Sequence, residues 1–280
     1  MAAIGGWAFV RWELKQERPL LDVRALKDRV VSVGSSLGLV TYFFNFGTAL
    51  FLAQYLQLVL GYSPLQTGIR LIPTAAVTTL IAPFTAPLVE RFGAKRLMVV
   101  GLLLCGTGIG VLQTANETSG YLPVLVAISL QGSGVALAMI TTTALVMGAL
   151  PKERSGMASA IQNATRQLGA ALGIALVGSL VAARYHAEVD TALAGSGAGP
   201  EARSSLGAAR RAADRLPAEA GAAVRAAARH AFVEAMHLGA LTCSLMAFVG
   251  AVMVACLLPR QRADADAAGA AASVASIAAQ

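Results

Sequence analysis

The sequence contains few charged side chains. Asp, Glu, Lys and Arg together make up 13% of its 280 residues, whereas hydrophobic residues make up 56%. A soluble domain carries about 25% charged residues. This shortage of charge indicates an integral membrane protein rather than a soluble domain.

Carboxylates in particular are missing from long stretches. No Asp or Glu occurs between Asp28 and Glu90 or between Glu153 and Glu188, and Glu117 is the only one between Glu90 and Glu153. A carboxylate in the hydrocarbon of a bilayer costs on the order of 3 kcal/mol or more. Such stretches are therefore typical of membrane-spanning helices.

Cysteine is also scarce, and the common chemical motifs are absent. Cys105, Cys243 and Cys256 lie in apolar runs without paired spacing, so we expect small core residues and neither a metal site nor a disulfide. The sequence contains no phosphate-binding loop and no evident nucleophile–base set. We therefore expect neither an enzyme nor an ATP-driven pump within this chain.

The net charge of +7 does not indicate a nucleic-acid partner. The basic residues cluster at the ends of apolar runs and are not interleaved with aromatic residues. Membrane topology explains that distribution better than nucleic-acid binding does.

Six apolar segments are long enough to cross a bilayer, which requires about 20 residues per helix. The runs are too long, and Gly and Ala too frequent, for barrel strands. The predicted fold is therefore an all-α integral membrane protein with a bundle of six transmembrane helices. The predicted spans are residues 31–60, 66–89, 96–115, 120–149, 156–183 and 232–258.

Basic residues occur in every second one of the short turns that join these segments. The turns "GYSPLQTG" and "TANETSGY" contain no Lys or Arg. The positive-inside rule therefore places both termini in the cytoplasm. The basic groups lie before the first span (residues 11–29), after the second (91–96), after the fourth (152–154) and after the sixth (260–262).

The segments outside the spans have their own composition. Residues 1–30 are similar to the truncated end of a preceding membrane helix followed by a basic cytoplasmic connector. Residues 184–231 form an Ala/Arg-rich extracytoplasmic loop for which we expect one or two short surface helices, the last of which runs into the sixth span. The low-complexity residues 259–280 are expected to form a disordered cytoplasmic tail.

The stretch "GMASAIQNATRQLGAALG" places polar side chains in the fifth predicted span. Arg166 lies about 15 Å from the cytoplasmic start of that span. Gln162 and Arg166, and likewise Asn163 and Gln167, are four residues apart and form a polar band on adjacent helix faces. Three interpretations of Arg166 stay open: it lines a substrate path, it pairs with a helix-end carbonyl or a carboxylate, or it reaches the membrane interface.

Other spans carry uncharged polar groups. Tyr42, Asn45 and Gln54 in the first span and Gln131 in the fourth are candidates for the lining of a cavity that accepts amphipathic organic molecules. The alternative for each is a hydrogen bond between helices. The glycine pairs, of which Gly169 and Gly173 are one, favour close helix packing, with a hinge as the alternative.

A cluster of titratable residues lies at the outer end of the sixth span. Glu234 and His237 share a helical face there with His230. We interpret Glu234 and His237 as a possible outer protonatable group rather than a metal site.

Several stretches resemble one known family. The chain resembles the carboxyl-terminal half of a fourteen-helix drug:proton antiporter of the major facilitator superfamily, the EmrB/QacA type. The resemblance implies one half of a major facilitator fold in the cell membrane. It also implies export of small organic compounds, with a proton gradient as the energy source and no cofactor. The matching stretches are "ERPLLDVRAL", "LGYSPLQTGIRLIP", "APLVERFGAKR", "GALPKERSGMASAIQNATRQLGAALGIALVG" and "HAFVEAMHLGAL".

The resemblance assigns a role to the turn "ERFGAKR". It is similar to the cytoplasmic gating turn of the family, in which an acidic and several basic residues latch neighbouring helices. This copy is degenerate, because Ala86 and Glu90 stand where the family has Gly and Asp. The resemblance also implies that Asn163, Arg166 and Gln167 belong to the family pattern "ASxxxNxxRQxGxxxG". The gating-turn residues are Glu90, Arg91, Gly93, Lys95 and Arg96.

The number of spans departs from the family. A full member has fourteen helices, and the amino-terminal half would contain the carboxylates that carry the proton. Three hypotheses follow: a truncated or mis-started transporter, a half-transporter that pairs with a second chain, or a non-transporting scaffold or remnant. The expected partners are the lipid bilayer, a small organic substrate and either the amino-terminal half or a second chain, with no nucleic acid.

Overall fold

The computed structural model describes residues 29–148, 155–193 and 200–258. The predicted connector before residue 29 and the predicted tail after residue 258 lie outside these ranges. Every regular element in the described ranges is helical. The helices are α1 (Arg29–Gln54, continued by a π-helical turn Tyr55–Val59), α2 (Pro64–Phe92), α3 (Ala94–Val111), α4 (Leu122–Gly148), α5 (Ser155–Ala192), α6 (Leu206–Ala213) and α7 (Ala218–Leu257), with 3₁₀ turns at Leu112–Thr114 and Pro200–Arg203.

The six long helices match the six predicted spans. All except the short α6 are long and apolar enough to cross a membrane. The prediction of an all-α membrane protein with six spanning helices is therefore confirmed, and the chain is a multi-pass membrane protein.

Two helices extend beyond the predicted spans. Helix α5 has 38 residues and continues past the end predicted near residue 183, whereas the 40-residue α7 begins at Ala218 and agrees with the expected surface helix that runs into the sixth span. At 1.5 Å per residue they are about 57 to 60 Å long, twice the thickness of a bilayer core. They continue because the predicted loop 184–231 is rich in Ala, a strong helix former.

The protruding parts of α5 and α7 form a small lobe together with α6. Tyr185, Val189 and Leu193 of α5 are buried, as are Ala209 of α6 and Val224 of α7. We call this region the projecting lobe. Its buried apolar positions explain why the helices expected in this loop pack together.

The helices pack unequally. Helix α1 contacts α4, α5 and α7, while α3 packs on α4 and α7. Helix α2 packs mainly on α4, so most of its surface is open. Its side chains Leu65, Leu80 and Phe84 are 75%, 70% and 60% exposed.

The bundle has two ends. The end that contains the α2–α3 turn at Gly93 and the last residues of α7 is called the Lys95 end. The opposite end, called the Glu117 end, contains the α1–α2 turn, the α3–α4 turn and the projecting lobe. At the Glu117 end α2 begins with a capping box, in which Ser63 and Gln66 exchange side-chain and backbone hydrogen bonds.

Glycines permit close contact between α1 and α5. A Cβ atom on Gly169 would lie 2.6 Å from the Leu39 carbonyl oxygen and 2.8 Å from Tyr42 Cβ. A Cβ atom on Gly173 would meet the Phe43 carbonyl group. The packing role predicted for this glycine pair is therefore the one that the structure shows.

Candidate functional site

The surface made by α1 and α5 carries polar side chains at membrane depth. The two helices lie side by side, and both also expose apolar side chains, among them Phe46, Leu168 and Leu172. We call this surface the front face. Its polar members, exposed or half-exposed, are Ser32, Ser36, Tyr42, Asn45 and Gln57 of α1 and Ser159, Gln162, Asn163, Arg166 and Gln167 of α5.

Arg166 is exposed at the centre of this face. Its Nη2 atom donates a hydrogen bond to Oδ1 of Asn163, at 2.8 Å. Tyr42 of α1 lies beside this part of α5, since a Cβ atom on Gly169, three residues beyond Arg166, would lie 2.8 Å from Tyr42 Cβ. The structure therefore brings together three predicted residues from two helices.

The Arg166 guanidinium forms no ion pair with any residue that the structure describes. The ion pairs found there are all at the Glu117 end or in the projecting lobe, and none includes Arg166. An exposed cation at membrane depth is costly unless it meets water or an anion. The Arg166 side chain is therefore accessible to a partner outside the described residues.

The other predicted path residues are more dispersed. Gln162 Nε2 lies 3.5 Å from Thr143 Oγ1 and links α5 to α4 at the edge of this face. Gln54 donates to the Leu50 carbonyl oxygen of its own helix. Gln131 is buried, and its carbonyl oxygen accepts from the Cys105 thiol of α3, so Gln131 lies apart from the cluster around Arg166.

The opposite surface is mainly apolar. We call the open surface of α3 and α7 the back face. Val100 and Leu103 of α3 are exposed, as are Leu245, Val249 and Val252 of α7. Such a surface suits lipid, whereas the polar front face requires water or protein.

The predicted gating turn lies at the Lys95 end. Gly93 has a φ of 83° and joins α2 to α3, a backbone conformation that favours glycine. Lys95 Nζ donates to the Leu258 carbonyl oxygen at 2.8 Å and so links α3 to the end of α7.

The remaining residues of this turn make fewer contacts. Glu90, Arg91 and Arg96 are exposed, and the Arg91 guanidinium carbon lies 5.4 Å from the centre of the Phe92 ring. Glu90 forms no ion pair with any residue in the described ranges. The resemblance implies a latch between helices. Within the described ranges, Lys95 is the only gating-turn residue whose side chain links two helices.

The Glu117 end holds the predicted outer protonatable group. His237 Nε2 lies 2.8 Å from the Ala115 carbonyl oxygen, to which it donates, and His237 Nδ1 lies 4.0 Å from Glu234. His230 Nδ1 lies 2.7 Å from Glu117. Both histidines therefore hold the α3–α4 turn against α7.

Sequence reasoning missed the Glu117–His230 pair. The signal that could have found it is the position of Glu117, the only carboxylate between Glu90 and Glu153.

These features define a class of protein. The described residues form a bundle of six helices that can cross a membrane, with polar side chains on one face, an apolar back face and basic residues in the α2–α3 turn. Residues 35–197 match the Major Facilitator Superfamily, and the chain belongs to that family.

Several curated proteins are similar to this chain. Multidrug resistance protein Stp of Mycobacterium tuberculosis is 35% identical over 189 residues, which cover 68% of this chain and 35% of Stp. Methyl viologen resistance protein SmvA of Salmonella typhimurium is 31% identical over 227 residues, 80% of this chain and 46% of SmvA. Multidrug efflux pump LfrA of Mycolicibacterium smegmatis is 28% identical over 259 residues, 90% of this chain and 50% of LfrA. The chain thus spans between about a third and a half of the length of these relatives.

Proposed function

We propose that this chain forms the carboxyl-terminal half of a transporter that exports drugs or other small organic compounds from the cell. The transporter is of the fourteen-helix type. Three relatives named for multidrug resistance, methyl viologen resistance and multidrug efflux support the substrate class. The matched regions cover at most half of each of these relatives, which supports the assignment to one half.

The front face docks the amino-terminal half, which is either part of the same protein or a second chain. The observation that carries this proposal is the exposed polar cluster of Tyr42, Asn163 and Arg166 at membrane depth. The substrate path runs between the two halves along this face, and alternating access results when one half rocks against the other. Arg166 pairs there with a carboxylate of the amino-terminal half or with water in the path.

The Lys95 end faces the cytoplasm of a cell whose plasma membrane contains the protein. Arg91, Lys95 and Arg96 lie at this end, whereas the turns 60–63 and 115–121 at the other end contain no Lys or Arg. The positive-inside rule supports this orientation. Both termini are then cytoplasmic, and the projecting lobe is extracytoplasmic.

The energy comes from a proton gradient rather than from a cofactor. The described membrane-level segments of this half offer no carboxylate on the front face, so the amino-terminal half supplies the acid that binds the proton. Glu234 and His237, at the Glu117 end, form a second protonatable group near the exit.

The experiment is an arginine substitution with a matched control. The chain is expressed together with an amino-terminal half, and export of a lipophilic cationic dye from cells is measured. Arg166→Ala is expected to lower the export rate at least about tenfold at unchanged membrane abundance, because a membrane-level ionic contact is lost. Arg166→Lys, which keeps the charge, is expected to retain part of the rate.

Arg184→Ala is the control on the same helix. Arg184 pairs with Glu188 at 2.6 Å, away from the cluster on the front face, so its loss leaves export unchanged. A wild-type export rate for Arg166→Ala would contradict the role proposed for Arg166.

A further inference from the structure

A cavity opens on the back face at the Lys95 end. It has a volume of about 560 Å³ and lies between α3 and α7. That volume is within the range of about 300 to 1,000 Å³ that is usual for small-molecule sites. Its lining residues are Lys95, Arg96, Val99, Val100 and Ala255.

The lining of the cavity is divided by polarity. The two cations lie together in the first turn of α3, and the other three lining residues are apolar. No carboxylate lines the cavity among the residues that the structure describes. Lys95 is held in place by its bond to the Leu258 carbonyl oxygen, whereas Arg96 is exposed and forms no ion pair in the described ranges.

The apolar wall continues into the membrane. Val100 and Leu103 of α3 and Val252 of α7 are also exposed on the back face, so apolar surface continues along these two helices beyond the cavity. Farther along α3, Phe248 of α7 packs on Gly106, since a Cβ atom on Gly106 would lie 2.8 Å from the Phe248 ring. Gly106 is ten residues beyond Arg96, which is about 15 Å along α3.

We propose that this cavity binds one anionic phospholipid of the surrounding leaflet. The phosphate lies against Arg96 and Lys95, and an acyl chain follows the apolar surface of α3 and α7 toward Phe248. Charge complementarity selects an anionic headgroup, because basic pockets between membrane helices attract anionic lipids. The apolar lining favours a lipid over a soluble anion, because only a lipid has an acyl chain that can cover it. The site faces away from the front face and therefore stays open to lipid when a second half is docked there.

The test measures lipid binding to the purified 280-residue chain in detergent. The probes are fluorescent phosphatidylglycerol and phosphatidylcholine with identical acyl chains. We expect phosphatidylglycerol to bind at least about fivefold more tightly than phosphatidylcholine. One basic residue near the membrane surface increases the affinity for an anionic lipid by about this factor. Arg96→Gln is expected to remove most of this preference, and Arg96→Lys to retain it.

Arg91→Gln is the matched control for charge. Arg91 is an exposed cation at the same end, and it does not line the cavity. We expect it to leave the preference unchanged. Equal binding of the two lipids, or an equal loss in Arg91→Gln and Arg96→Gln, would overturn the proposal.

Two further measurements separate the lipid from other occupants. Glycerol phosphate at millimolar concentration is expected to leave bound phosphatidylglycerol in place, and Val100→Trp, which fills the apolar wall, is expected to weaken lipid binding. Displacement by glycerol phosphate would show a site for a soluble anion instead. A chain that ends at residue 262 is expected to bind the lipid as tightly as the full chain, and a tenfold gain would show that residues 263–280 occupy the cavity.

Discussion

The contact between α1 and α5 supports a quantitative prediction. Gly173 lies against the backbone of α1, and a Cβ atom there would meet the Phe43 carbonyl group. Carbon atoms in a packed interior are separated by about 3.5 to 4.0 Å. Because the obstacle is backbone rather than a flexible side chain, Gly173→Ala must push the two helices apart.

The expected change in the free energy of unfolding of Gly173→Ala is the sum of two opposing contributions. Overpacking a well-packed contact costs about 1 to 3 kcal/mol, and the upper end applies where backbone must move. Replacing glycine by alanine inside a helix contributes about 1 kcal/mol in the opposite direction. The net loss is about 2 kcal/mol, which lowers the melting temperature by about 4 to 8 °C.

The cysteines of the chain provide the assay. Cys105 and Cys243 are fully buried, whereas Cys256 is exposed. In a Cys256→Ser background, a thiol-reactive dye therefore reports the unfolding of the bundle in detergent. The melting temperature of Gly173→Ala is compared with that of the background protein.

Gly156→Ala is the control on the same helix. A Cβ atom on Gly156 would have nothing within 4 Å, so this substitution is expected to leave the melting temperature unchanged or to raise it slightly. If Gly173→Ala melted at the same temperature as Gly156→Ala, the close approach of α1 and α5 would be refuted.

Two smaller effects are expected at the helix ends. Lys95→Met removes the hydrogen bond to the Leu258 carbonyl oxygen and a cation from the carboxyl terminus of α7. It should therefore destabilise the bundle by about 1 kcal/mol in the same assay. An unchanged melting temperature would show that this bond contributes nothing to stability. Ser63→Ala removes the cap of α2 and should also cost about 1 kcal/mol. Ser63→Thr keeps the hydroxyl and serves as its control, and an equal loss in both variants would exclude the capping role.

The spans could be predicted because the bilayer constrains each segment independently. Length, apolar composition and the absence of carboxylates are local properties, and they identified all six spanning helices. The turn around Glu117 was also correctly placed between two spans, since a single carboxylate and Gly120 interrupt the apolar pattern there.

The helix ends beyond the membrane were harder to predict. Residues 184–192 contain arginine and carboxylates, which indicate a position outside the hydrocarbon but not the end of a helix. Helix α5 continues through them because Tyr185 and Val189 bury an apolar stripe in the projecting lobe. That burial depends on α7, which packs on α5 and is distant in the sequence.

The candidate site could be predicted only in part. The spacing of Asn163 and Arg166 along one helix gave the polar band, and their hydrogen bond agrees with it. The proximity of Tyr42, the bond from Lys95 to Leu258 and the Glu117–His230 pair join residues far apart in the chain. Local patterns contain no information on such contacts, because these depend on which helices become neighbours.

We propose that this chain exports compounds only as one half of a transporter. The most direct measurement is proton-driven uptake of a lipophilic cationic dye by inverted membrane vesicles. Vesicles are prepared with this chain alone, with an amino-terminal half alone and with both. We predict uptake only when both are present, and loss of that uptake when the proton gradient is dissipated. Uptake by this chain alone, or none with both halves stably present in the membrane, would contradict the account.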